Sequence, residues 1–115
     1  MSEREGGRSH PRHQLDDALL TPVRFSVMAA LGSGVEIDFA TLRDLIETED
    51  SALSKAITHL VGVGYLSVRK GYVANKPRTW ASATPTGTQA FAVHSAALQA
   101  IVSGAQAEPD SARRA

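Results

Sequence analysis

Residues 51–71, SALSKAITHLVGVGYLSVRKG, change their hydrophobic period near Gly64. Before that point Leu53, Ile57, Leu60 and Val61 recur at spacings of three and four, which puts them on one side of a helix. After it, Leu66 and Val68 alternate with Ser67 and Arg69, the pattern of a strand with one covered face. Gly62 and Gly64 lie between the two patterns and mark the helix stop, because glycine takes the left-handed backbone of a helix end without a Cβ clash. The stretch therefore predicts a helix over 51–64 that runs almost directly into a strand. Asp50 or Ser51 can cap the helix start by accepting from an otherwise unpaired amide.

Downstream, Thr79, Ala81 and Ala83 alternate with Trp80, Ser82 and Thr84, so a second strand follows the first. The two strands flank a loop from Lys70 to Arg78, a hairpin with a long tip, and Trp80 is expected as an apolar plug beneath it. Thr84 followed by Pro85 is a cap and first-turn pair for a last helix, with Phe91, Leu98 and Ile101 in its apolar stripe.

Upstream, FATLRDLIET at 39–48 sets Phe39, Leu42, Leu45 and Ile46 on one side of a short helix. VEID at 35–38 alternates apolar and acidic residues, a brief strand for a sheet edge. Leu15, Leu19, Leu20, Val23, Val27, Met28 and Leu31 carry a further helical stripe. Pro22 breaks it, so a helical turn to about Leu20 is expected before a main helix from Pro22 to Leu31, capped by Thr21.

The chain has 115 residues, enough for one core. Residues 1–13 and 104–115 lack large periodic apolar residues and read as mobile tails around a domain at 14–103. Its apolar runs are too short to cross a bilayer, and its N-terminus lacks a secretory pattern, so a cytoplasmic protein is expected. The absence of cysteine excludes disulfides, thiolate metal sites and a cysteine nucleophile. His10, His13, His59 and His94 are scattered without metal-ligand spacing, and Gly62-Val63-Gly64 lacks the preceding strand of a dinucleotide fingerprint. No enzyme, cofactor or metal site is expected. Twelve basic residues balance twelve acidic ones. Charge is nonetheless segregated: six acids against Arg43 alone between 36 and 50, and Arg69, Lys70, Lys76 and Arg78 with no acid between 67 and 81. The acidic run is expected to be a solvated face, with Glu49 and Asp50 serving the helix start.

The order helix, strand, helix, helix, hairpin, helix is an α+β winged helix-turn-helix arrangement. Three collinear pieces, LLTPVRFSVMAAL (19–31), FATLRDLIETEDSALSKAITHLVGVGYLSVRKG (39–71) and KPRTWASATPTG (76–87), resemble winged-helix transcriptional regulators related to the MarR and ArsR groups. The most telling parts are Leu53-Ser54-Lys55, Gly64-Tyr65, Pro77-Arg78-Thr79-Trp80 and the Thr84-Pro85 start of the last helix. Ala52 and Ala56 stand where such relatives often carry Asn and His.

The resemblance implies a regulator of transcription, commonly a repressor, that binds double-stranded DNA. Helix 51–64 would enter the major groove with Ser51, Ala52, Ser54, Lys55, Thr58 and His59. Hydroxyls and an ammonium suit base edges and phosphates, whereas alanine reaches only a thymine methyl. Arg69, Lys70, Lys76 and Arg78 would follow the backbone or the minor groove. Such regulators are commonly two-fold dimers, for which Leu15, Leu19, Phe91, Leu98, Ile101 and Val102 are the candidate contacts. An effector is left open, because no polar constellation names one. The competing reading is a winged helix that binds another protein and no DNA, favoured by the zero net charge and the two alanines.

Overall fold

The computed structural model describes residues 9–32 and 34–114, with side chains described as far as Gly104. Helix α1 spans Pro22–Leu31, strand β1 Glu36–Asp38, helix α2 Phe39–Leu45 and helix α3 Asp50–Gly62. Strands β2 (Leu66–Val73) and β3 (Lys76–Ala83) form the hairpin, and helix α4 begins at Pro85 and continues to Arg114. Two 3-10 turns, Pro11–Gln14 and Asp17–Leu19, precede α1. The sheet is antiparallel in the order β1-β3-β2, so the short VEID strand lies at an edge as its alternation implied.

Side chains on one face of each element meet in a single core. Ala18 and Leu19 before α1, Val27, Met28 and Leu31 of α1, Leu42 of α2, Leu53, Ile57 and Leu60 of α3, and Leu66 and Ala81 of the sheet are among its buried members. Ala56 is also buried in it. Side-chain hydrogen bonds cap the starts of three of the four helices. The Thr21 hydroxyl accepts from the Arg24 amide at 3.2 Å, and Asp38 accepts from the Thr41 amide at 3.2 Å. The Thr84 hydroxyl accepts from the Gly87 amide at 2.9 Å and donates to the Gly64 carbonyl at 2.6 Å. Helix α3 departs from this pattern and from expectation: Glu49 is at its cap position without a side-chain bond. Asp50 does not cap either, because its carboxylate accepts from Arg43 Nη1 at 2.9 Å. Arg43 divides its guanidinium between Asp50 and Asp44, to which Nε donates at 3.1 Å, and this charge-assisted bond occupies the Asp50 carboxylate.

The hairpin is tighter than its sequence suggested. In place of a loop from Lys70 to Arg78, the strands pair out to Val73 and Lys76 around Ala74 and Asn75 alone. Both turn residues have positive φ, 52° and 67°. This backbone twist matches that of the flanking strands, and the longer strands gain ladder bonds that an open loop would leave to water.

The N-terminal segment is fastened to the rest through Asp16. Its amide donates to Nδ1 of His94, its carboxylate accepts from the Ala18 amide, and it accepts from the Tyr65 hydroxyl. His94 is buried, with its ring 5.7 Å from that of Phe25. Residues 11–13, which the sequence suggests as part of a tail, form with Gln14 a 3-10 turn against α4. Residues 1–8 of that tail lie outside the described residues. At the other end, the helical backbone continues through the stretch from 104 that was read as a tail.

Candidate nucleic-acid interface

Helix α3 presents a polar side because its apolar residues are drawn inward at a spacing of three and four. Ser51, Ser54, Lys55, Thr58 and His59 are exposed on it, and Ala52 is half-buried. Between α3 and the hairpin runs an open cleft of about 490 Å³. Phe39, Ile57, Val61 and Val68 supply its apolar lining, and Ser54, Thr58, Thr79 and Lys70 its polar groups. No carboxylate lines it. Val61 is exposed beside Thr58 although it belongs to the apolar stripe of the sequence; its place at the end of that stripe is the signal that it could reach the surface.

The pleat divides the basic stretch between the two faces of the hairpin. Lys70 pairs with Thr79 across the strands and shares the helix-facing side with Val68 and Ala81. Arg69 pairs with Trp80, Gly71 with Arg78, and Val73 with Lys76, all on the opposite face. That outer face is not purely basic. Arg69 donates from Nε and Nη2 to the two carboxylate oxygens of Glu36 at 3.0 and 2.9 Å, and its guanidinium lies 4.0 Å over the Trp80 ring. The bond from Arg69 holds the Glu36 carboxyl below its ordinary range. Asp38 is also lowered, first by the hydrogen bond from Thr41 and further by the charge of Arg78.

Two expectations are thereby corrected. Trp80 is not a plug under the hairpin: its alternation places it on the outer face, half-buried under Arg69. The acidic stretch is not uniformly a remote solvated face, since Glu36 and Asp38 stand across β3 from the wing cations. Linear spacing hides a pairing over 33 residues, although the common parity of Glu36 and Asp38 in a strand was a usable signal.

The candidate contact residues for a second copy are dispersed. Leu19 is 1% exposed and belongs to the core, so it offers no surface to a partner. Leu15, Phe91, Leu98 and Ile101 are half-buried, with Phe91 packed on Phe25 at 5.1 Å between ring centroids, and Val102 is 53% exposed. Leu20, which the sequence reading did not select, is 52% exposed and shares a groove with Phe25 and Leu98. Among the described residues no group of three or more His, Asp or Glu is arranged to hold a metal ion, and no helix is long and apolar enough to cross a membrane.

No curated protein matches the chain. Among solved structures, it is similar to a transcriptional regulator homologue from Pyrococcus horikoshii OT3, with 24% identity, a TM-score of 0.70, and 76% of this chain and 86% of that one covered. It is also similar to the transcriptional regulator PA4135, with 18% identity, a TM-score of 0.62, and 98% and 84% covered. At these identities the likeness establishes the fold. The sequence model of one family, the winged helix DNA-binding domain, matches residues 23–102, which take in α1 from its second residue, α2, α3, the hairpin and the first part of α4. The chain belongs to that winged-helix family.

Proposed function

We propose that the protein is a cytoplasmic DNA-binding transcriptional regulator that acts as a repressor, with α3 in the major groove and the hairpin along the adjacent backbone. The observation that carries this reading is the acid-free cleft where Lys70 of the hairpin faces Ser54 and Thr58 of α3. A duplex strand following that cleft would meet an ammonium for phosphate and hydroxyls for phosphate or base edges. Lys55 and His59 extend the same polar side, and Lys76 and Arg78 reach from the outer face near the hairpin tip. Two copies related by a two-fold axis, joined through α4, would address half-sites about one helical turn apart, roughly 10 base pairs.

The test is a fluorescence-anisotropy titration of a labelled fragment from upstream of the protein's own gene and an unrelated fragment of equal length, over a salt series. Selective binding to the first is expected. Lys70→Ala is expected to lower the slope of log affinity against log salt by about 0.9, the value for one phosphate contact. A slope unchanged by Lys70→Ala would remove the cleft from the interface. No retention of either fragment at low salt would favour a protein-binding winged helix instead.

A further inference from the structure

The guanidinium of Arg69 is drawn across the sheet. It starts on the edge strand β2, passes over Trp80 on the central strand β3, and ends on Glu36 of the opposite edge strand β1. Both side chains remain open to water, at 56% and 41% exposed. The pair is therefore not compensating a buried charge, and exposed pairs contribute little to stability. Its geometry is nevertheless the strong one: two parallel donors on two carboxylate oxygens, with the guanidinium lying on an indole. What the arrangement changes is the availability of Arg69.

We propose that Glu36 is a specificity-determining residue which holds Arg69 off the DNA backbone and so limits the phosphates that the wing neutralises. The inference rests on the DNA-binding reading above. Each phosphate contact raises affinity for every duplex alike and carries no base information. Arg69 shares the outer face of the hairpin with Arg78 and Lys76, so a free guanidinium there would add one such contact to theirs. With Glu36 in its fork, a phosphate gains nothing from Arg69 unless it displaces a fixed carboxylate and leaves that carboxylate unpaired. Asp38, two residues along β1, sets a second negative charge on the same face. Sequence-blind attraction is thereby kept low, and discrimination is left to α3. Specificity is a difference of affinities, and weakening the wrong complex raises it as well as strengthening the right one.

The experiment measures binding of the whole chain to a mixed-sequence duplex over a potassium chloride series, for the parent and for Glu36→Gln, Arg69→Gln, the double variant and Lys70→Gln. Glu36→Gln is expected to steepen the salt slope by about 0.9 and to tighten binding at low salt. Arg69→Gln is expected to keep the parent slope, and the double variant to return to it. A pair that only braced the hairpin would behave otherwise, because removing either partner would weaken binding alike. The inference is overturned if Arg69→Gln flattens the slope, which would make Arg69 a phosphate contact already. It is equally overturned if Glu36→Gln leaves the slope unchanged while Lys70→Gln flattens it, an outcome that keeps the DNA-binding reading intact. Failure of the parent and every variant to bind at the lowest salt would overturn both.

Discussion

Tyr65 holds the joint between α3 and β2 by both of its ends. Its hydroxyl donates to Asp16, and its carbonyl accepts from the Thr84 amide at 3.0 Å. The same carbonyl explains Gly87, since a Cβ there would lie 2.1 Å from the oxygen. Donation to Asp16, with partial burial and the nearby carboxylate charge, pushes the phenol up from 10.0 to about 12. The protonated hydroxyl is thus favoured in the fold. Between pH 10 and 12 the unfolded chain releases this proton and the folded chain retains it, so stability falls as pH rises through that window. In Tyr65→Phe this contribution should vanish: chemical denaturation followed by circular dichroism is expected to give a lower midpoint at pH 8 and a shallower further loss toward pH 12. Gly64-Tyr65 was conspicuous in the sequence as a helix stop, but the partnership with Asp16 was not, because 49 residues separate the two.

The hairpin is the element whose sequence and structure diverge most. Gly71 and Pro77 are residues of loops, and together they suggest an open tip. Gly71 instead lies within β2, where a Cβ would come within 3.2 Å of the Trp80 ring. The turn consequently falls on Ala74 and Asn75. Asparagine tolerates the left-handed region, whereas alanine there carries a steric cost of about 1 kcal/mol. Ala74→Gly is therefore expected to raise stability by up to about 1 kcal/mol, and Ala74→Val to lower it, as read by thermal melting. The helices were more legible than the hairpin, because Thr21-Pro22, Thr84-Pro85 and the three- and four-residue spacings are local signals. The start of α3 was not: the partner that takes Asp50 from the cap is Arg43, on the preceding helix.

At the scale of the molecule, the order of elements could be read because each change of hydrophobic period also changes the secondary structure. The distribution of charge could not, because it depends on which face of the sheet each residue occupies. The surface offered to a second copy raises the same difficulty, since the apolar stripe of α4 does not say which residues α1 and the N-terminal segment already cover. Leu19 is consumed by the core, while Leu20, its neighbour, stands exposed beside Phe25 and Leu98. For a dimer formed through this region, Leu20→Asp with Val102→Asp is expected to give a monomer by light scattering while leaving the circular dichroism spectrum unchanged. An unchanged dimer would locate the contact elsewhere. The shared anchorage of α3 and α4 has a mechanical consequence. Thr84 clasps the carbonyl of Gly64, just past the end of α3, while fixing the first turn of α4. On the proposed function, with two copies joined along α4, that hydroxyl would be a fulcrum: a small roll of α4 would swing the ends of α3, and the pair would gauge the distance between half-sites as callipers do.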